Sequence, residues 1–315
     1  MTDRMAMASV RTAVTLSVLC LFLACLSCSR ERQAPPYFGT PTRGEFSVMS
    51  YNLLHFRYMD RNRDGQMNNF KPADEIAALV DIVKLSNPDI LAVQELGDAA
   101  SALRLQQTLR DAGLHYPHLD HLSGPNPHTS LGILSRLPIV NSIPLTNLFY
   151  SIQGRNLVVQ RGFQQVDIRL PDDKVIRVVN LHLKSKVFHE AGQTEMRRNE
   201  ARILATHIRK FQRENPDMPL IVCGDFNDNH NSAAMRELLG RDDTDLQFLP
   251  LVDRDGDGWT HFFGRDHIYS RIDYILVNSA MKQRWVESKS GIVRDNRTYK
   301  ASDHRPIFAT FNATN

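Results

Sequence analysis

Eight polar residues in this 315-residue chain share one placement. Asn52, Glu95, His182, Asp225, Asn227, Asp273, Asp303 and His304 each stand late in an apolar run, or directly after one, where a strand would end. Scattered solvated positions would not all do this, and strand ends with their following loops often present ligand and catalytic groups. Carboxylates and carboxamides so placed can hold Mg2+ or Mn2+, hard cations that prefer oxygen and keep waters and phosphate oxygens around them. The two histidines can stabilise or protonate a phosphoryl oxygen while an aspartate holds the tautomer. Cleavage of a phosphate diester needs an activated water, neutralised charge in the transition state and help for the departing oxygen, and the set contains groups for each. Cysteine–histidine zinc spacing is absent. Taken singly, each residue has a plainer reading: Asn52 bonding the backbone in a turn, Glu95 capping a helix that starts at Asp98, His182 a satisfied strand-end histidine.

The elements that must position these residues are legible as apolar runs. Strands are expected over Phe46–Leu53, Asp89–Gln94, Leu131–Leu134, Val158–Leu170, Val175–Leu183, Leu220–Cys223, Ile272–Val277 and Ile307–Phe311. Helical spacing places Ile76, Leu79, Val80 and Val83 on one face of Ala73–Leu85, and Ile203, Leu204, Ile208 and Phe211 on one face of Glu195–Phe211. Strands alternating with helices, and two long neighbouring strands around residues 158–183 able to pair as a hairpin, indicate an α/β protein. The chain shows no fixed-period repeat, low-complexity tract or Pro/Gly/Ser seam, so one large domain is expected over 46–315.

Six segments carry the polar residues in order: Ser50-Tyr51-Asn52-Leu53, Gln94-Glu95, Asn180-Leu181-His182-Leu183-Lys184, Gly224-Asp225-Phe226-Asn227-Asp228, Arg271-Ile272-Asp273-Tyr274-Ile275 and Ser302-Asp303-His304-Arg305-Pro306. Together they resemble the successive motifs of the endonuclease/exonuclease/phosphatase superfamily, which includes DNase I-like nucleases, abasic-site endonucleases, bacterial sphingomyelinases and inositol-polyphosphate 5-phosphatases. The resemblance implies a four-layered α/β sandwich, two mixed β-sheets packed face to face with flanking helices, and an active site at one edge. It implies a metal-dependent hydrolase of phosphoester bonds, first a nuclease-like phosphodiesterase, alternatively a phospholipid or inositol-phosphate phosphohydrolase of the sphingomyelinase kind, and remotely a non-catalytic surface binding protein.

Carried over by motif, Glu95 is the principal Mg2+ ligand, with Asn52 and Asp303 beside it. Asp225 orients or deprotonates the attacking water, and Asn227 and His182 bind phosphate oxygens. His304, paired with Asp273, stabilises the scissile phosphate or acts as the acid. Arg161 is a candidate for the phosphate-binding arginine some members carry, with a structural salt bridge as the alternative. The tyrosine that some family nucleases place beside the phosphate has no counterpart in residues 128–133. Substrate choice would lie in the loops around 57–70, 97–127, 145–160 and 241–267, which carry no readable signature.

The N-terminus belongs to targeting. Arg4 and Arg11 precede an apolar run from Thr12 to Ala24, shorter than the roughly 20 residues that span a bilayer, so residues 1–28 read as a signal peptide. Its end, Leu21-Phe22-Leu23-Ala24-Cys25-Leu26-Ser27-Cys28, resembles the lipobox of bacterial lipoproteins, with Cys25 or Cys28 as the lipidated residue. Residues 29–45, with Pro35, Pro36 and Pro41, read as a tether. The expectation is an exported monomer, held by a lipid to a bacterial envelope membrane or secreted. Of the remaining cysteines Cys20 is in the leader, and Cys223, alone in the domain, reads as a buried strand residue.

Removing the leader leaves a net charge of about +2, too little to indicate a nucleic-acid partner by charge alone. The basic stretch Lys184, Lys186, Arg197, Arg198 and Arg202 reads first as an exposed helix face balanced by Glu195 and Glu200, and second as a route for an anionic substrate. Aromatic interleaving of the kind found in single-strand binders is not evident. Two loops, Asp60–Asp64 and Asp253–Asp257, open like Ca2+ loops and are each followed by glycine, Gly65 and Gly258. Lys71 and Gly264 stand where an EF-hand glutamate belongs, so these are simpler structural Ca2+ loops or solvated acidic turns.

Overall fold

The computed structural model describes residues 38–39, 41–240 and 246–314. The expected signal peptide, Cys25, Cys28 and most of the tether lie outside the described residues. One sheet contains β1 (Glu45–Phe56), β2 (Ile90–Leu96), β3 (His118–Leu122), β4 (Ser130–Ser135), β15 (Trp285–Ile292) and β16 (Ile307–Asn312), in the order β15-β16-β1-β2-β4-β3. The other contains β5 (Ile139–Ser142), β8 (Phe163–Arg169), β9 (Val175–His182), β10 (Leu220–Asp225), β11 (Gln247–Phe248) and β14 (Asp273–Val277), in the order β11-β14-β10-β9-β8-β5. Both sheets are mixed: β1 with β2 and β9 with β10 run parallel, and the other neighbours are antiparallel. Two hairpins stand apart, β6 (Phe149–Ile152) with β7 (Arg155–Val158) and β12 (His261–Phe263) with β13 (Ile268–Ser270).

Strand alternation sorts the apolar residues into layers. Phe46, Val48, Ile90, Ala92 and Ile133 face Val166, Ile176, Val178, Ile221, Cys223 and Ile275 across the space between the sheets. The opposite faces are covered by helices. Met49, Tyr51, Leu91 and Val93 meet α1 (Ala73–Ser86) and α2 (Ala99–Asp111), through Leu79, Val83, Leu105 and Leu109. Val179, Leu181, Val222 and Leu276 meet α3 (Gln193–Glu214) and α4 (Ala233–Leu239), through Leu204, Ile208, Met235 and Leu238. Helix, sheet, sheet, helix is the four-layered α/β sandwich expected. Two single turns, α5 (Ser279–Lys282) and α6 (Thr298–Ala301), complete the helices among the described residues.

The same alternation aims the site. Residues in step with Val48, Val178, Ile221 and Ile275 point between the sheets, and continuing that parity reaches Asn52, His182, Asp225 and Asp273. Asp225 pairs in register with His182 on one side and Asp273 on the other. Asp303 and His304 precede β16, which runs antiparallel to β1, so they arrive at the same edge. Glu95 is out of step, but its φ of +58° turns the chain there.

The single expected strand Val158–Leu170 is divided. Val158 ends β7, Arg161 lies in the loop, and Gly162 has a φ of +69° where an added Cβ would stand 2.7 Å from the Leu145 carbonyl oxygen. Only Phe163–Arg169 pairs with β9 as the hairpin. Packing also begins before Phe46, since Phe38 stacks on Phe308 with ring centroids 5.0 Å apart. Cys223 is buried in β10, as expected, and burial pushes its thiol up to about 12.

Candidate active site

Asp225 is the hub. Its Oδ2 accepts from the side-chain amides of Asn52 and Asn227, each at 3.1 Å, and its Oδ1 accepts the Asn227 backbone N–H at 2.8 Å. The Nε2 atoms of His182 and His304 lie 3.4 Å and 3.8 Å from the same Oδ2. Asn227 holds this place with a φ of +53°. The preceding Gly224 is required by contact: at φ +143°, an added Cβ would sit 2.0 Å from the Leu181 carbonyl oxygen on β9. That glycine lets β10 approach β9 closely enough to set Asp225 beside His182.

The two histidines are held in different states. Burial, reinforced by Arg161, pulls His182 well below its ordinary pKa, so it is neutral. Burial acts in the same sense on His304, but Asp273, Asp225 and Asp303 outweigh it and raise His304 to about 10. His304 Nδ1 is 2.9 Å from Asp273 Oδ2, leaving Nε2 directed at the cleft. Asp225 itself is pushed up to about 7 by burial, with Asp273 and Glu95 adding repulsion against the favourable His304 and Asn227 contacts.

On the other sheet, Glu95 accepts the His55 backbone N–H at 3.0 Å, and its Oε2 is 2.7 Å from His55 Nδ1. Although burial works the other way, His55 and the neighbouring histidines hold Glu95 far below the ordinary carboxylate range. Asp303 is likewise lowered against its burial, by His261 and His304, and its Oδ1 is buried with no hydrogen-bond partner. An ionised Glu95 and an orphaned Asp303 oxygen fit a divalent cation. Asn52 turns its Nδ2 toward Glu95 at 3.3 Å while Oδ1 accepts Leu54 N–H, so ligation through oxygen requires its amide to turn over. The helix that follows Glu95 is capped by Asp98, which accepts from Ser101, so Glu95 does not cap it.

Arg161 joins the cleft from the loop before β8. It is buried, donates to Thr129 Oγ1 at 3.2 Å and to the Leu183 carbonyl at 3.4 Å, and forms no ion pair among the described residues. The structural salt bridge considered for it is therefore not there. Arg197, counted with the basic face, is instead a buried latch: it pairs with Asp228 at 2.9 Å and donates to the carbonyls of Lys184 and Ser185. Glu200, expected on the exposed face, is buried and accepts Lys184 N–H at 2.7 Å.

The acidic loops resolve differently from a Ca2+ site. Asp253 and its neighbours Asp255 and Asp257 face arginines: Arg305 lies 2.5 Å from Asp253, and Arg294 contacts all three carboxylates. Guanidinium groups take the place of a cation there. In the first loop, both Asp60 oxygens accept backbone N–H groups, of Asp64 and Gly65, which is a self-capped turn.

Two histidines and an aromatic group were not legible as site residues. His55 lies on Glu95, and His261 lies on Asp303 with Nε2 to Oδ2 at 3.6 Å. Trp259, Phe262, Tyr269 and Tyr299 form a ring cluster beside Asp303, with centroids of Phe262 and Tyr269 4.6 Å apart. Tyr269 and Tyr299 are more than half exposed. Their only sequence signal is a high aromatic density at 259–269, and Tyr299 comes from a distant segment.

The model of the Endonuclease/Exonuclease/phosphatase family matches residues 49–304, and the chain belongs to that family, whose members hydrolyse phosphoester bonds. Solved structures share the fold. TDP2 of Caenorhabditis elegans, in truncated form, superposes with a TM-score of 0.59 at 19% identity, covering 85% of this chain and 98% of that one. The human Nocturnin catalytic domain with bound sulfate gives 0.60 at 18% identity, covering 88% and 99%. Beta toxin of Staphylococcus aureus gives 0.59 at 15% identity, covering 84% and 99%. Comparison with curated proteins gives no match.

Proposed function

We propose that the protein is a divalent-metal-dependent phosphodiesterase with a nuclease-like preference, using Mg2+ or Mn2+. Arg161 carries the reading. Its buried guanidinium makes no salt bridge among the described residues. Only the charge of the Glu200 carboxyl, itself pushed up to about 7, acts on it from further off, and an oxyanion of the substrate held between Arg161, His182 and Asn227 would offset the remaining cost. Asp225, with a pKa near 7, is suited to accept a proton from the attacking water at Oδ2. Neutral His182 and the Asn227 amide orient a phosphate oxygen. The His304 imidazolium, fixed by Asp273, donates from Nε2 toward the phosphoryl or departing oxygen. A bound divalent ion would neutralise charge on the phosphate. The exposed Tyr269 and Tyr299 rings offer stacking faces to bases flanking the scissile bond, which favours nucleic acid.

The test is hydrolysis of plasmid DNA, RNA, bis-p-nitrophenyl phosphate, sphingomyelin and inositol phosphates with Mg2+ or EDTA. EDTA-sensitive cleavage of a nucleic acid is expected, and no EDTA-sensitive turnover on any of the five sinks the proposal. A second reading, a phospholipid hydrolase, is favoured by Val187 and Phe188, exposed by 71% and 82% just after Lys184 and Lys186. Turnover of sphingomyelin alone would select it.

The leader supports a further part of the proposal, an exported lipoprotein anchored at Cys25 or Cys28. Radiolabelled palmitate should enter the protein in a bacterial host. Exchange of one of these cysteines for serine should abolish it, and labelling that survives both exchanges together overturns the anchor.

A further inference from the structure

One peptide unit, between Leu183 and Lys184, is gripped on both sides. Its carbonyl oxygen accepts from Arg161 at 3.4 Å and from the Asn227 side-chain amide at 3.1 Å, so two of the residues proposed to hold the substrate oxyanion share one acceptor. Its N–H donates to Glu200 Oε2 at 2.7 Å. Glu200 stands on α3, is 1% exposed, and has no part in the reaction above. Its other oxygen, Oε1, is buried and has no hydrogen-bond partner. Beside it is the Tyr150 hydroxyl of β6, whose pKa is raised by burial and then by Glu200. A carboxyl that served only to cap one backbone N–H would not need this second, unsatisfied oxygen in a dry interior.

Four groups act on this carboxyl: Arg161 from the loop before β8, Lys184 from the end of β9, Arg197 one turn earlier on α3, and Tyr150. Burial pushes Glu200 up to about 7, against the Arg161 charge, the Lys184 N–H and the charges of Lys184 and Arg197. It therefore carries a proton in mildly acidic solution and loses it above neutrality. Ionised, Glu200 supplies a counter-charge to Arg161 from beyond salt-bridge range and weakens the pull of that guanidinium on any anion in the cleft. Protonated, it leaves Arg161 uncompensated, yet its carbonyl oxygen still accepts Lys184 N–H. The peptide stays clamped in both states, and the charge alone changes.

We propose that Glu200 is a positioning residue for the oxyanion pocket: it clamps the peptide whose carbonyl aligns Arg161 and Asn227, and its charge competes with a bound anion for Arg161. The proposal rests on the reading of Arg161 as an anion-holding group. The experiment is calorimetric titration of the purified protein in Mg2+ buffer with sulfate, an oxyanion whose own charge is constant between pH 5 and pH 8. Dividing the wild-type Kd by that of Glu200→Gln cancels titrations common to both, that of Asp225 among them. The ratio should be near one at pH 5 and about five at pH 8, where wild type binds more weakly. Glu200→Ala, which takes the acceptor away from Lys184 N–H, should bind sulfate about tenfold more weakly than Glu200→Gln at pH 5. Arg161→Gln should weaken sulfate binding and, combined with Glu200→Gln, hold the ratio at one throughout. A ratio of one at pH 8, or a folded Glu200→Ala that matches Glu200→Gln, overturns the proposal; if Arg161→Gln still weakens sulfate, the reading of Arg161 survives. Should Glu200→Ala fail to fold by circular dichroism, the Glu200→Gln ratio decides alone. Sulfate binding indifferent to Arg161→Gln overturns both readings. Wild type that binds no sulfate also overturns the proposal, while EDTA-sensitive turnover by that preparation would leave the hydrolase reading standing.

Discussion

Asp225 and His304 oppose each other across the cleft with complementary tasks, one poised to take a proton and the other charged to give one. The Asp225→Asn variant isolates the first task. Asparagine keeps the shape, and its one oxygen can still accept from the Asn52 and Asn227 side-chain amides while its Nδ2 loses the Asn227 backbone N–H, but it cannot take a proton near neutrality. We expect kcat to fall by about 10²–10⁴ with KM little changed. Steady-state kinetics on bis-p-nitrophenyl phosphate checks this, and retained turnover would remove Asp225 from the base role. All eight strand-end polar residues of the sequence converge, because strand periodicity delivers like-facing positions to one edge and the six ordered segments name them. His55 and His261 escaped because nothing local marks them. His55 works through a backbone turn at φ +56°, and His261 through a bridge to a residue forty-three positions later. The Asp253 loop misled for the converse reason: its ligand-like spacing is real, and the partners that occupy it, Arg294 and Arg305, lie far along the chain.

At the scale of elements, helix α3 steers the strand end that carries His182. Glu200 Oε2 fixes Lys184 N–H, and Arg197 fixes the next carbonyls, so the chain leaving β9 is pinned from two successive helical turns. Burial pushes Glu200 up to about 7, with Arg161, the Lys184 N–H and the Lys184 and Arg197 charges opposing it. A carboxyl whose folded pKa exceeds its ordinary 4.5 retains its proton in the fold after the unfolded chain has released it. Its stabilising contribution is therefore complete below pH 4.5 and lost as pH rises to about 7. Glu200→Gln keeps an acceptor for Lys184 without a titrating proton. Urea denaturation should place variant and wild type close together near pH 5, with the variant more stable by up to roughly 3 kcal/mol at pH 8. A difference independent of pH would show that the carboxyl is ionised in the fold throughout. Sequence periodicity found α3 and the main strands, since each buries one continuous face. It overran at 158–162, where apolar Val158 and Val159 flank a loop held by Gly124 and Gly162, whose added Cβ atoms would meet backbone at 2.5 Å and 2.7 Å. Close backbone approach leaves no periodic mark.

Across the whole molecule, the cleft exists only where two sheets meet, because Asn52 and Glu95 come from one and His182, Asp225 and Asp273 from the other. Their mutual distances depend on how the sheets are clamped, and an apolar interface alone specifies sliding poorly. A buried amide ladder supplies the direction. Gln94 Nε2 donates to Asn180 Oδ1 at 2.7 Å and to Ser50 Oγ at 3.1 Å, while Asn180 Nδ2 reaches the Val93 and Gly132 carbonyls and Gln164 Oε1. Gln94 precedes Glu95, and Asn180 lies two residues before His182, so each rung stands directly below a cleft residue. Asn180→Ala leaves the Gln94 donor and two carbonyls short of partners in a dry interior, where hydrogen bonds are strongest and their loss most costly. We expect about 3 kcal/mol of destabilisation by urea denaturation and a kcat reduced about tenfold or more, although Asn180 touches no substrate. Asn180→Asp replaces the donating amide with a buried carboxylate facing carbonyl oxygens and should be worse in both measurements, despite its near-identical shape. Full activity in either variant that still folds would show that the apolar layer sets the register by itself, and that the polar ladder serves stability alone.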